Sequence, residues 1–260
     1  MDLHLKDKVV AVTGGSNGIG KGIARSFVEE GARVTLIARR LEKLQDAQKE
    51  FAELGYDVDI VSVDVCDSEA FAKAVQGIFE KNQRLDVFVN NAGGGESGPL
   101  IDCSVEKFRE IMDLNLTSLF VGTQTAARCM KKCGGGVILN GSSFGGILPT
   151  AGKSVYAASK RAIMTLTTTF AAELAADNIR VVGYIPGFII AGRAEDKLKT
   201  MGKEKLEAEI VSHRLGMPED IGNVVAFLAS DKASYINGTN IEITGGKWIV
   251  QNPMWSYQNH

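Results

Sequence analysis

The sequence predicts a doubly wound α/β protein, with seven short strands in one mostly parallel sheet and helices on both faces. Two observations carry this. Short β-branched runs alternate with amphipathic stretches along the whole 260 residues, and the first run closes on a glycine-rich turn. Strands separated by helices need crossover connections, which make neighbouring strands parallel and cover both faces of the sheet.

In order, Val9–Thr13 is the first strand, and Gly18–Glu30 is a helix that closes at Gly31, a good C-cap residue. Val34–Ala38 is the second strand, followed by the charged, amphipathic helix Leu41–Leu54. Val58–Val63, Asp86–Val89 and Val137–Asn140 read as further buried strands, with helical patterns between them, including a long one from about Val105 to Lys132. The Ala-rich stretch Ser154–Ala176 is helical, and Arg180–Ile185 returns to a strand. Pro218–Ala229 opens with Pro-Glu-Asp, a helix-start signature, and Asn240–Thr244 is the last strand. The charged, weakly patterned segment Phe188–Gly216 reads as a lid over a site. No repeat or low-complexity linker divides the chain, so residues 1–260 are expected to form a single domain.

A net charge of −2 leaves no electrostatic footprint for nucleic acid or an anionic membrane. No apolar run approaches the length of a membrane span, and the N-terminus lacks the apolar core of a signal peptide; a cytoplasmic location is expected. Cys66, Cys103, Cys129 and Cys133 lack the companions of a zinc site, and no metal is expected. They read as buried or half-buried free thiols.

Three groups of residues carry chemistry. The first strand runs into Thr13-Gly14-Gly15-Ser16-Asn17-Gly18-Ile19-Gly20 and then a helix. Glycines there let the backbone approach a pyrophosphate, whose charge the helix dipole and free N–H groups receive. Next, Tyr156 and Lys160 form Y-x-x-x-K on one helix face. A lysine ammonium beside a tyrosine favours the phenolate and so readies the hydroxyl for proton transfer near neutral pH. Finally, Ser142 and Ser143 end a strand, Asn115 lies in Asp113-Leu114-Asn115, Asn90-Asn91-Ala92-Gly93 ends another strand, and Pro186-Gly187 a third.

These motifs, in this order, resemble the short-chain dehydrogenase/reductase family, compact single-domain type, from Lys8 to Gly246. The resemblance implies a Rossmann-type three-layer fold and a catalytic set of Asn115, Ser143, Tyr156 and Lys160. It assigns Tyr156 as general acid/base and Lys160 to the nicotinamide ribose and to tuning Tyr156. Ser143 would hold the substrate oxygen, and Asn115 would position a water linking Lys160 to solvent. The cofactor set it implies is Gly14, Ser16, Asn17, Gly18, Ile19, Gly20, Arg39, Asp64, Val65, Asn91, Ala92, Gly93, Tyr156, Lys160, Pro186, Gly187 and Ile189. Asp64 matches the position that contacts adenine, or caps the next turn.

An acid at the tip of the second strand binds the ribose hydroxyls of NAD and repels a 2′-phosphate. The chain carries Ala38 at that place, followed by Arg39, which can grip a 2′-phosphate. NADP(H) is therefore expected over NAD(H), in an enzyme interconverting a ketone and a secondary alcohol. An NAD(H)-dependent relative and a non-catalytic dinucleotide sensor are the alternatives. Two positions depart from the family pattern: Ala191, where many relatives have threonine after Pro-Gly, and Gly183, where many have asparagine.

Pocket residues are expected from Gly94–Ser97, Phe144–Lys153 and Phe188–His213. Arg193, Lys197, Lys199, His213 and Arg214 would greet an anionic group or simply be solvated. Steroid, sugar, polyol, keto-acid and acyl-thioester substrates all fit these features. Family members are commonly tetramers, so a homotetramer (or dimer) is expected. The tail beyond Gly246 holds both tryptophans and Tyr257, a density that suits burial. Trp248 and Trp255 would pack against a partner subunit or within their own.

Overall fold

The structure is a computed structural model that describes residues 2–96, 98–191, 200 and 202–259. Ser97, Arg193, Lys197 and Lys199, named above as pocket or cationic residues, lie outside the described residues, as do residues 192–199 and 201 of the expected lid.

Seven strands, β1 Val9–Thr13, β2 Arg33–Ala38, β3 Val58–Ser62, β4 Val87–Asn90, β5 Gly136–Gly141, β6 Ile179–Pro186 and β7 Asn240–Ile243, form one sheet in the order β3-β2-β1-β4-β5-β6-β7. Every pairing is parallel, so the sheet is wholly rather than mostly so. The helices are α1 Gly18–Glu29, α2 Leu41–Glu53, α3 Ser68–Asn82, α4 Val105–Met112, α5 Ser118–Lys132, α6 Ser154–Leu174, α7 Lys203–Glu207, α8 Pro218–Ala229 and α9 Trp255–Gln258.

Successive strand residues face opposite sides. In β1, Val10 and Val12 join Phe27, Val182 and Val225 in one core, while Val9 and Ala11 join Phe71, Phe88 and Met130 in the other. The sheet is therefore buried on both faces. That explains why its central strands read as continuous apolar runs.

Most boundaries agree with expectation to within about one or two residues. The helix expected over Val105–Lys132 is not continuous, because a π turn at Asp113–Thr117 separates α4 from α5. A turn of this kind shifts the apolar face by one residue, too little for periodicity to reveal. Its consequence is the burial of Asn115. Cys66 and Cys133 are exposed, contrary to expectation, whereas Cys129 is buried.

Gly183 also acquires a reason. Asn90, Asn140, Gly183 and Asn240 stand in register across β4, β5, β6 and β7. Asn90 Nδ2 donates to Asn140 Oδ1 (2.9 Å) and Thr123 Oγ1 (3.0 Å), and Asn140 Nδ2 donates to Thr167 Oγ1 (3.1 Å). Asn240 leans into the space in front of Gly183, where a Cβ would collide with its Oδ1. The amide expected from the third strand is supplied by the fourth. Gly183→Asn should therefore destabilise the fold by about 1–3 kcal/mol through overpacking. Adding Asn240→Gly should restore most of the loss. Urea unfolding of both variants checks this, and a double variant no better than the single would refute the exchange.

Candidate active site

Strand order reverses between β1 and β4, and ligands of open α/β sheets bind at the carboxyl ends of strands beside such a switch point. All three motif groups meet at that edge. Thr13 holds the first to the third: its Oγ1 donates to Val89 O (3.2 Å) and accepts from Asn91 N and Ala92 N (both 2.9 Å). Asn91 Nδ2 donates back to Thr13 O (3.0 Å), and the buried Tyr184 hydroxyl donates to Asn91 Oδ1 (3.2 Å).

The turn after β1 fits a dinucleotide phosphate. Gly14 and Gly18 lie at φ +67° and +55°, in the left-handed region, and a Cβ on Gly20 would strike Gly14 O and Asn91 Nδ2. Side chains are thereby excluded where α1 begins, and the backbone is left accessible. Asn17 caps α1, its Oδ1 accepting from Gly18 N (2.7 Å), while Ser16 is half-buried beside it. Across the cleft, Ala191 comes within 3.2 Å of where a Gly18 Cβ would sit.

At the tip of β2, Arg39 is exposed and its Nη1 lies 3.4 Å from Asp64 Oδ2. Asp64 Oδ1 accepts from Cys66 N (3.0 Å), so Asp64 does cap the turn after β3, with Val65 buried next to it. An exposed pair at this distance is weak and leaves Arg39 able to turn to another anion.

The proton-transfer candidates converge on one cleft of about 450 Å³, lined among others by Ile19, Gly93, Ser143, Tyr156, Gly187 and Ile189. Pro186 ends β6 just before it. The ring of Tyr156 is seated closely: a Cβ on Gly95 would lie 2.9 Å from its Cβ, and one on Gly145 would lie 3.4 Å from its Cε1. Lys160 is 4% exposed and donates from Nζ to Gly141 O (2.8 Å), with Nζ 5.9 Å from the Tyr156 ring centre. Burial lowers its pKa to about 8. Ser142 and Ser143 part company. Ser142 is buried and donates to Lys160 O (2.7 Å), pinning α6 to β5, whereas Ser143 faces the cleft and its Oγ accepts from Gly145 N (3.1 Å).

Asn115 reaches the same place from the π turn. Its Nδ2 donates to Gly94 O (2.7 Å) and its Oδ1 accepts from Gly94 N (2.8 Å). A Cβ on Gly93 would lie 2.7 Å from Asn115 Oδ1 and 3.0 Å from Lys160 Nζ, so only glycine lets the two side chains approach across the turn.

Two of the cationic candidates are engaged elsewhere. Arg214 forms a two-pronged pair with Asp220 (both 2.7 Å), and the His213 ring lies 4.8 Å from that of Tyr257. The residues missed as cleft lining in this same chain are Ala157, Lys247 and Trp248. The aromatic tail signalled burial, but nothing in its composition said against which surface. Trp248 packs on Phe144 with ring centres 5.5 Å apart, whereas Trp255 is exposed.

The chain is similar to known proteins along most of its length. The profile of a family described as Enoyl-(Acyl carrier protein) reductase matches residues 14–247. A 3alpha-hydroxysteroid dehydrogenase of Mediterraneibacter gnavus is 39% identical over 251 residues, spanning 94% of this chain and 98% of that protein. L-sorbose reductase from Gluconobacter frateurii, solved with NADPH and L-sorbose, superposes with a TM-score of 0.89 at 29% identity, covering 96% of this chain and all of that one. A 7alpha-hydroxysteroid dehydrogenase, solved with NADH and 7-oxo glycochenodeoxycholic acid, gives a TM-score of 0.87 at 32% identity, covering 96% and 98%.

Proposed function

Because the chain belongs to the short-chain dehydrogenase/reductase family, NAD(P)-dependent oxidoreductases acting on carbonyl and CH–OH groups, we propose that it interconverts a ketone and a secondary alcohol with NADP(H). The observation that carries the proposal is the meeting of Ser143, Tyr156 and Lys160 beside the glycine turn.

Gly14, Ser16, Gly18, Ile19 and Gly20 would hold the pyrophosphate, with Asn17 shaping the turn. Arg39, Asp64 and Val65 would hold the adenosine end, and Asn91, Ala92, Gly93, Pro186, Gly187 and Ile189 the nicotinamide end. When bound, the nicotinamide supplies or accepts the hydride. The chain's own work is proton transfer and orientation. In reduction, Ser143 donates a hydrogen bond to the carbonyl oxygen and stabilises the charge that grows there. Tyr156 gives that oxygen its proton. The Lys160 ammonium favours the tyrosinate left behind, and Asn115 holds the turn against which Lys160 rests. Alcohol oxidation runs the same transfers backwards.

NADP(H) is favoured by Ala38, which offers no carboxylate, and by exposed Arg39 beside it. Arg39→Ala should lower kcat/KM for NADPH by about tenfold or more, the loss of one charge-assisted phosphate contact, and leave NADH little changed. Nicotinamide absorbance with both cofactors and a panel of ketones checks the reaction and the preference together. Equal kcat/KM for NADPH and NADH would overturn the NADP(H) assignment.

The reading extends to a cytoplasmic homotetramer (or dimer). Phe120 of α5 and Phe170 of α6, with ring centres 6.1 Å apart, give these helices an apolar outer patch that suits a subunit contact.

A further inference from the structure

The end of the chain forms one wall of the catalytic cleft, and its construction is unusual. Trp248 is partly exposed at the cleft and has φ +54°, a left-handed backbone that a bulky side chain adopts only under constraint. The constraint is visible. Lys247 is 4% exposed, its Nζ donates to Glu209 Oε2 (2.6 Å), and the same ammonium lies 3.7 Å from the Trp248 ring centre. Backbone bonds run alongside, from Ser212 N to Gly245 O (3.0 Å) and from Trp248 N to Glu209 O (3.4 Å). Tyr257 Oη donates to Val211 O (3.1 Å) further along the tail. The chain end is thus stapled to the segment after α7, and the indole is held by Phe144 on one side and the Lys247 ammonium on another.

We propose that Trp248 is a specificity-determining residue, and that the substrate it selects is an apolar, ring-bearing ketone whose flat skeleton lies against the indole. The inference rests on the carbonyl-reductase reading and adds the substrate class. Phe144, Leu148, Phe188, Ile189 and Trp248 make the cleft's apolar wall, facing the side-chain-free turn at Gly93–Gly95. A rigid ring system covers such a wall at little entropic cost and gains dispersion contact with the indole as well as burial. A polyhydroxylated ketone would have to bury hydroxyls against it. The Lys247 ammonium is drawn to Glu209 and to the face of the Trp248 ring, which leaves only part of its donor capacity to compensate them.

The test compares wild type, Trp248→Ala and Trp248→Phe on three ketones: bicyclic 2-decalone, linear 2-decanone and fructose. Wild type should prefer 2-decalone. Trp248→Ala should lower kcat/KM for it by about tenfold, mostly through KM, and Trp248→Phe should recover most of the loss. The linear ketone should lose clearly less. Equal losses for the ring and the chain, no loss at all, or a wild-type preference for fructose would each overturn the proposal. If no ketone oxidises NADPH or NADH, the reaction assignment fails instead. Trp248 fluorescence in a Trp255→Phe background, with NADP+ present, then decides: quenching by 2-decalone supports the platform, and its absence overturns it.

Discussion

Tyr156→Phe should lower kcat for ketone reduction by about 10³-fold, within the range expected for losing a positioned proton donor. Phenylalanine keeps the ring that packs against Gly95 and Gly145 and removes only the hydroxyl. NADPH binding, measured by fluorescence titration, should therefore be largely unchanged, because the glycine turn after β1 and Arg39 are untouched. Single-turnover absorbance with a reactive ketone gives the rate. Substantial residual turnover would remove Tyr156 from its role.

Lys160→Met should cost about 10²-fold in kcat/KM, because the ammonium beside Tyr156 is lost. The pH dependence gives this prediction its direction. Burial lowers the Lys160 pKa from 10.5 to about 8, so the ammonium is present below about pH 8 and lost above it. In wild type, kcat/KM for reduction should fall as pH rises through about 8, and the variant should lack that limb. Stability moves the other way. Between about pH 8 and 10.5 the unfolded chain binds a proton that the folded chain has released, so folding becomes more favourable as pH rises. Relative to Lys160→Met, wild type should gain up to about 3 kcal/mol across that window, the linkage equivalent of the shift. Below it the buried ammonium carries a constant cost. Urea unfolding at pH 7 and pH 10 distinguishes the two: a wild-type advantage that shrinks with rising pH would contradict the burial argument.

Much of this protein was legible from residue order. Val9–Thr13 followed by glycines and then an amphipathic stretch could only be strand, tight turn and helix, because β-branched residues and positive-φ glycines leave few alternatives. The seven strands, their parallel pairing and the residues at their carboxyl ends follow from such local rules. The set Ser143, Tyr156, Lys160 and Asn115 was legible as a list, since each member lies in a short motif.

Two features were not legible and the cause of a third was hidden, each for a physical reason. The π turn that buries Asn115 changes a helix by one residue, and apolar periodicity does not resolve so small a slip. Ser142 and Ser143 are chemically identical and adjacent; the family resemblance singled out Ser143, but only strand alternation and the position of α6 give the reason, turning one to Lys160 O and the other to the cleft. Gly183 read as a departure from a family pattern, yet the neighbouring strand fills its space with Asn240, a compensation made across strands and not along the chain.

The sequence by itself determined the layered fold, the dinucleotide turn and the type of chemistry, because these depend on residues close together in the chain. Tertiary structure alone decided the apolar wall of the cleft. It turned the Lys247 ammonium onto Glu209 and brought Trp248 from the end of the chain to Phe144. A contact between residues about a hundred positions apart is set by how the sheet and the segment after α7 pack, which no local pattern encodes.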